Sequence, residues 1–348
     1  MPANPSPAAT RRPLGWLGVV AIAGAILGLP ALPDLGEPPR HPFNARPLLA
    51  LEKARPRGVL IGDSMLETRI DPQVLNAAAG ERWAVLAQPG SSSAMWYLML
   101  KNLVAVQAPP PRTVIIFFRD RQLTLPAHRT KGGSRKTLES YMRGPERLLG
   151  KILQAGTRRQ QPWPERAALA LYPMQWRREP SQEKIQSWAM DLAAGSRESQ
   201  KIRDAAHTIF GLRNLRPDRV LDAGPQDGES QGLDPEPHDF ETAVGASFLP
   251  PLLGIAQEKK IRLVFFRVKR KPRSADEPAH ESPTLPAYTR ELRAYLEKAG
   301  AQLVDETRDA DITPDFYEAD DHIETLMMKA YTEMFWRKVG PLLPPPAR

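Results

Sequence analysis

The sequence has no cysteine among its 348 residues. This absence excludes disulfide bonds, thiolate metal sites and cysteine nucleophiles, and it is compatible with an oxidising compartment. No Gly-x-Gly-x-x-Gly or phosphate-loop motif follows any predicted strand, which argues against a nucleotide cofactor. The six histidines are scattered, without the spacing of zinc ligands, at His41, His128, His207, His238, His280 and His322. We therefore predict neither a cofactor nor a metal.

Basic residues outnumber acidic ones, which gives a net charge of +8 and a pI of about 9.7. This balance indicates anionic neighbours, such as membrane headgroups or acidic glycans. Nucleic acid is not a predicted partner, because no recognition motif is present and the chain is expected to be exported.

The N-terminus carries a targeting segment. Arg11 and Arg12 precede an uncharged apolar run at residues 14–29, within the range of a membrane-spanning helix when its flanks are counted. Basic residues ahead of the run favour a cytoplasmic N-terminus and an exported body. A cleaved signal peptide is the alternative, but no clean small-x-small site follows. Residues 1–33 are thus a predicted anchor or signal segment. The favoured form is an uncleaved single pass in the inner (plasma) membrane, with the body extracytoplasmic.

Strand and helix patterns alternate along most of the body. The apolar strand patterns lie at residues 58–61, 83–86, 113–118, 261–266 and 302–304, and helical patterns lie between them, one of them at 65–79 with a break near Pro72. This alternation predicts a parallel sheet covered on both faces, a three-layer α/β/α fold. In such folds the site lies beyond the carboxyl ends of the strands.

The middle of the chain interrupts this rhythm. It carries many basic residues with interleaved aromatics, and its predicted helices lie at 136–142, 146–155, 165–171 and 183–211. An acidic loop rich in proline and glycine follows at 216–241. A basic aromatic surface is suited to an anionic polysaccharide, whereas a solvated helical face with tryptophans packed inward is the favoured alternative. The predicted organisation is the anchor at 1–33, a Pro/Arg-rich tether at 34–56, a first domain part at 57–125, a helical insertion at 126–240, a second part at 241–342 and a tail at 343–348.

Two short motifs at opposite ends of the body carry the chemistry. Gly62-Asp63-Ser64-Met65 directly follows the first strand, where a serine hydroxyl stands beside free backbone N–H groups at the start of a helix. Asp320-Asp321-His322 precedes a run with helical spacing at residues 323–335, which predicts a helix that begins right after His322. A serine, a distant histidine and an aspartate match the components of a hydroxyl-activating triad. Helix capping is the alternative role of the two aspartates.

The blocks "VLIGDSM" (59–65), "VLAQPGSSS" (85–93) and "DDHIETLMMKAYTEMFW" (320–336) resemble those of SGNH (GDSL-type) esterases and acyltransferases. The resemblance implies a flavodoxin-like α/β/α domain in which Ser64 is the nucleophile, His322 the base and Asp320 the orienting acid, with Asp321 as the alternative. It also implies that the amides of Ser64 and Gly90 form the oxyanion hole. The Asp-x-His spacing resembles the membrane-associated polysaccharide O-acetyltransferase-like branch.

The chain departs from the family pattern after the central strand. The family places an asparagine there as a further oxyanion donor, but this sequence reads "VIIFFRDRQ" at residues 114–122. Either Arg119 or Arg121 replaces that donor, or the hole consists of backbone donors alone. Losing one such donor typically costs a few kcal/mol of transition-state stabilisation.

The resemblance implies a serine esterase or O-acyltransferase acting on acetyl-type esters of cell-envelope or exported carbohydrate, with a membrane-bound acyltransferase as a candidate partner. A lipase or broad esterase is the alternative within the same chemistry. A non-catalytic envelope-assembly or glycan-binding protein with the same fold is the alternative from another class.

Overall fold

A computed structural model describes residues 39–130, 132–160, 239–272, 284–318 and 320–343 of the chain. The strands are β1 (Gly58–Gly62), β2 (Trp83–Ala87), β3 (Thr113–Phe118), β4 (Arg262–Arg267) and β5 (Gln302–Asp305). The helices in these ranges are α1 (Arg46–Ala54), α2 (Ser64–Arg69), α3 (Pro72–Ala79), α4 (Ser93–Met99), α5 (Gly132–Glu139), α6 (Arg147–Gln160), α7 (Phe240–Gly245), α8 (Leu249–Lys259), α9 (Leu285–Lys298) and α10 (Met328–Val339). The predicted break near Pro72 is confirmed, since α2 and α3 are separate helices.

The five strands form one parallel sheet in the order β2-β1-β3-β4-β5. All five lie within one or two residues of the predicted positions, and the flavodoxin-like strand order confirms the predicted fold class. The chain first adds β2 on one side of β1 and then β3 on the other. The carboxyl ends of β1 and β3 therefore flank a topological switch point, where ligands of open α/β sheets bind.

Helices cover both faces of the sheet. Successive side chains of a strand point to opposite faces of the sheet, so each strand contributes to two apolar cores, one on each face. One core packs under α4, α8 and α9, and the other packs under α2, α3 and α10. In the second core the ring of Phe335 on α10 lies 5.2 Å from that of Phe117 and 5.0 Å from that of Phe266. This packing fixes the C-terminal helix against β3 and β4.

A buried arginine joins the end of α2 to two distant segments. Arg69 is fully buried, and its guanidinium donates to the carbonyl oxygen of Lys269 at 3.0 Å, just beyond β4. Tyr317 donates from its hydroxyl to that same carbonyl at 3.1 Å, and its ring lies 5.8 Å from the guanidinium. The buried Glu306 supplies opposite charge and accepts from Tyr331 at 2.5 Å. A buried charge needs such partners, because desolvation alone disfavours it.

The start of the C-terminal helix differs from the sequence prediction. The α-helix begins at Met328 rather than right after His322, and a single 3-10 turn at Thr325–Met327 precedes it. Ile323 forms an antiparallel bridge with Tyr317, and Leu326 is 84% exposed. The helical apolar spacing therefore extends past the helix itself, because Ile323 is buried by a bridge and not by a helix face. Asp320 and Asp321 do not cap this helix.

Two helices of the middle region are described, at slightly different bounds from the prediction. They are α5 and α6, whereas the predicted helices at 165–171 and 183–211 lie outside the described residues, as does the acidic loop up to residue 238.

The predicted anchor at 1–33 also lies outside the described residues. Within the described ranges, no helix is long and apolar enough to cross a membrane. The predicted tether includes α1, whose Leu51 is buried in the core.

Candidate active site

Ser64 is the first residue of α2, immediately beyond the carboxyl end of β1. Asp63 caps that helix, and its carboxylate accepts a hydrogen bond from the amide of Met65 at 2.9 Å. A Cβ at Gly62 would lie 2.7 Å from the Cβ of Leu66, so the tight strand-to-helix turn requires glycine there. Ser64 is only half-buried, and its hydroxyl therefore stands at the rim of the sheet.

The structure brings His322 to Ser64 across 258 positions of sequence. The Nε2 atom of His322 lies 3.0 Å from the Oγ atom of Ser64. On the other side of the ring, Nδ1 lies 2.7 Å from Oδ1 of Asp320. With the ring proton on Nδ1, the imidazole donates to Asp320 and accepts from the serine hydroxyl at Nε2. This is the geometry of a nucleophile, a general base and an orienting acid.

Asp320 is well suited to orient a histidine. Its Oδ1 atom also accepts from the backbone amide of His322 at 2.9 Å, so one oxygen holds both the ring and its main chain. Partial burial raises the pKa of Asp320, but the backbone and ring hydrogen bonds from His322 outweigh it and the net pKa is lowered. The carboxylate therefore remains ionised at neutral pH and selects the Nδ1–H tautomer.

Asp321 has a different set of partners. Its carboxylate forms an ion pair with Arg119 at 2.8 Å and accepts from the amide of Lys271 at 3.0 Å. These contacts tie the loop that bears His322 to the ends of β3 and β4. Between the two adjacent aspartates, Asp320 is thus the one on the imidazole, and Asp321 is the one that fixes the loop.

Gly90 lies on the neighbouring loop after β2, close to the end of β1. The amide of Gln88 and the hydroxyl of Ser91 both donate to the carbonyl of Gly62, at 3.0 and 3.2 Å. Gly90 itself has a φ of 71°, a conformation that favours glycine. In the part of the chain that the structure describes, the amides of Ser64 and Gly90 have no hydrogen-bond acceptor. Both are therefore available to an incoming oxygen.

The two arginines proposed as extra oxyanion donors have other contacts. Arg119 is engaged by Asp321, as described above. Arg121 is buried, donates to the hydroxyl of Thr284 at 2.7 Å and lies 5.8 Å from the ring of Tyr288. Neither arginine has a hydrogen bond to Ser64, His322 or Gly90 in the described ranges, so their donor role stays a prediction.

Gln122 is a site residue to which the sequence analysis gave no role. Its side-chain oxygen accepts from the amide of Arg119 at 2.9 Å, and its Nε2 donates to Asp63 at 3.3 Å. It thus connects the loop after β3 to the N-terminal cap of α2. The available signal was its position, since polar residues just past a buried strand of a parallel sheet tend to face the site.

The loop at residues 127–130 also reaches the site. Ser92 occupies the N-cap position of α4, but its hydroxyl makes no capping hydrogen bond and donates to the carbonyl of His128 at 2.6 Å. Burial, with the nearby charges of Arg129 and Arg119, lowers the pKa of His128 from 6.5 to about 4. The Nε2 atom of this ring is buried without a hydrogen-bond partner in the described ranges, so the ring is neutral at physiological pH.

The described side chains do not assemble a metal centre. Within the described ranges, no group of three histidine, aspartate or glutamate residues is placed to hold an ion. The chemistry that the arrangement supports is hydroxyl activation, since it joins a serine, a histidine and a carboxylate next to two open amides.

No family model and no curated protein matches the chain. A solved GDSL-like lipase from Bacteroides thetaiotaomicron is similar at 11% identity and a TM-score of 0.35, covering 84% of this chain and 91% of its own. A solved putative acylhydrolase from Bacteroides fragilis is similar at 9% identity and a TM-score of 0.37, covering 82% and 88%.

His128 generates a prediction about stability and pH. The unfolded chain takes up a proton on this residue near pH 6.5, whereas the folded chain does so only near pH 4. Protons therefore favour the unfolded state, and stability falls as pH drops from about 6.5 towards 4. His128→Gln should remove this term, on the order of 2 kcal/mol.

Urea denaturation of both proteins between pH 4.5 and 7.5 measures the difference. The free energies of unfolding should converge, or cross in favour of the variant, as pH is lowered. His41→Gln serves as the control for removing a histidine elsewhere. Parallel pH profiles for parent and His128→Gln would contradict the assignment.

Proposed function

We propose that the chain is a serine esterase or O-acyltransferase of the SGNH type. The observation that carries the proposal is the continuous hydrogen-bonded path from Ser64 through His322 to Asp320, with distances of 3.0 and 2.7 Å. A hydroxyl, an imidazole and a carboxylate in this order constitute an activated nucleophile. The motif blocks around Ser64, Gly90 and His322 support the same superfamily.

The first half-reaction follows from these positions. Oγ of Ser64 attacks the ester carbonyl carbon while its proton moves to Nε2 of His322. The electron pair of the C=O π bond moves to oxygen, which the amides of Ser64 and Gly90 stabilise. Collapse of the tetrahedral intermediate breaks the ester C–O bond, and the leaving alkoxide takes the proton from His322. Asp320 keeps the imidazole in the required tautomer and stabilises its cation.

The second half-reaction releases the acyl group. Water or a sugar hydroxyl attacks the acyl-Ser64 carbonyl, again losing its proton to Nε2 of His322, and the serine recovers that proton as the bond breaks. Water gives hydrolysis and a sugar gives transfer. The partial exposure of His322, whose side chain is 28% accessible, leaves room for either acceptor.

We further propose that the substrate is an acetyl-type ester of cell-envelope or exported carbohydrate, and that residues 1–33 anchor the chain in the inner membrane. The support is in the sequence: the apolar run behind Arg11 and Arg12, the net charge of +8, and the Asp-x-His spacing of the third motif block. In this arrangement the body faces the extracytoplasmic space. A membrane-bound acyltransferase that supplies acyl groups is the corresponding partner.

The nucleophile is tested by removing one oxygen atom. In the full-length chain, Ser64→Ala should reduce turnover of an activated acetyl ester to background, because it removes the hydroxyl that contacts Nε2 of His322 and would form the acyl-enzyme. His322→Gln should do nearly the same. Ser140→Ala, which removes a hydroxyl at the end of α5, is the matched control and should retain parental activity. A parent protein without esterase activity, or a Ser64→Ala variant within threefold of it, would support the non-catalytic alternative.

The two adjacent aspartates give a second prediction. Asp320→Asn should slow acylation by up to roughly ten-thousandfold, as loss of the orienting acid does in serine proteases, because the amide favours the wrong tautomer. Asp321→Asn weakens the ion pair to Arg119 but leaves the imidazole contact intact, so its rate should fall about tenfold or less. Rates measured beside melting temperatures separate the two roles. A larger rate loss in Asp321→Asn than in Asp320→Asn would exchange the assignments.

A further inference from the structure

An arginine outside all the motif blocks lies over the oxyanion-hole glycine. A Cβ atom built on Gly90 would lie 2.8 Å from Nη1 of Arg129. Two covalent bonds of about 1.5 Å separate that Cβ position from the Gly90 nitrogen, so guanidinium and amide are within roughly 6 Å. Two N–H donors that share one acceptor at about 2.9 Å each are separated by no more than this distance. Arg129 and Gly90 are therefore close enough for one oxygen to accept from both.

The loop that carries Arg129 is held in place on both sides. The carbonyl of His128 accepts from Ser92, two residues beyond Gly90. Thr130 closes the loop by donating from its hydroxyl to the carbonyl of Ala127 at 2.8 Å. Arg129 itself has a φ of 52°. The loop is thus attached to the segment of Gly90, and the attachment sets where the guanidinium lies.

The guanidinium of Arg129 is uncommitted. In the described part of the chain, it has no ion pair within 4.0 Å and donates no hydrogen bond. Partial burial lowers its pKa, while the charge of Asp63 raises it and that of Arg119 lowers it. The guanidinium is thus within electrostatic reach of Asp63, the residue before Ser64. Arginine remains cationic at neutral pH, so the group presents a positive charge close to Gly90.

The surrounding charges indicate what this arginine binds. Asp320 orients His322, and Asp321 neutralises Arg119. With Asp63 also negative, the immediate surroundings carry no excess of positive charge for a permanently anionic substrate. An oxygen that acquires negative charge only during the reaction suits this balance better.

We propose that Arg129 is the side-chain donor of the oxyanion hole and acts together with the amides of Ser64 and Gly90. The proposal rests on the proposed esterase or acyltransferase function and names a catalytic residue for it. As Oγ of Ser64 bonds to the carbonyl carbon, the π electron pair moves to oxygen and the serine proton moves to His322. Arg129 donates an N–H hydrogen bond to that oxygen and transfers no proton. Arg129 thus takes the role that, in the family this chain resembles, belongs to an asparagine after the central strand.

The test is a comparison of Arg129→Gln and Arg55→Gln in the full-length chain, with an activated acetyl ester. Arg55 is a matched control: like Arg129 it is exposed and has a positive φ, of 45°, but it precedes β1 at the amino ends of the strands, away from the site. Arg129→Gln should lower kcat about a hundredfold or more with little change in KM, as expected for a donor that acts in the transition state. Arg129→Lys, which keeps the charge, should recover part of the rate. A boronic acid that forms a tetrahedral adduct at Ser64 should bind most tightly to the parent, less tightly to Arg129→Lys and least tightly to Arg129→Gln.

The outcomes distinguish the inference from the function on which it rests. If the parent is active, Ser64→Ala is inactive and Arg129→Gln has a kcat within threefold of Arg55→Gln, Arg129 is not a donor although the enzyme is a serine esterase. A raised KM at constant kcat would also overturn the inference, by making Arg129 a substrate-binding residue. If Arg129→Gln does not fold, Arg129→Lys and Arg129→Met take its place. Parental kcat and parental boronic acid affinity in both of these variants would contradict the proposal. A parent without Ser64-dependent activity would instead remove the proposed function.

Discussion

The site depends on a buried arginine that holds its two halves together. Arg69 ends the helix that Ser64 begins, and it binds the carbonyl of Lys269. Tyr317 binds that same carbonyl and forms the bridge to Ile323, the residue after His322. Ser64 and His322 are 258 positions apart in sequence, yet their supporting segments meet at one carbonyl oxygen. Proton transfer between an imidazole and a hydroxyl requires that they lie within hydrogen-bond distance, so this buried contact is a condition for the proposed chemistry.

The strands and the positions of Ser64 and His322 at the sheet edge were predictable because their signals are local. The continuous β-branched and aromatic run of β3 is typical of a strand buried on both faces, and the structure has it at the predicted residues. Ser64 was found from its place between a buried strand and a helix. The choice of Asp320 over Asp321 rested on a resemblance alone, and the observed contacts place Asp320 on the ring and Asp321 on Arg119.

The remainder of the site could not be derived from sequence patterns, because it depends on contacts between loops. Arg119, Arg121 and Arg129 look equivalent in the sequence, but only the fold shows that the first is paired with Asp321 and the second with Thr284. The C-terminal helix shows the converse limit. Its apolar spacing continues through Ile323, which is buried by a bridge to Tyr317, so periodicity alone placed the helix start too early.

The central claim is that Ser64 is a nucleophile activated by His322. Its most direct measurement is covalent labelling of the full-length chain with a fluorophosphonate, followed by peptide mapping by mass spectrometry. A fluorophosphonate requires an activated serine hydroxyl and no knowledge of the natural acyl group or acceptor. The account predicts a single adduct, on Ser64, that forms far more slowly in His322→Gln. An unlabelled chain, or an adduct on another serine with Ser64 unmodified, would contradict it.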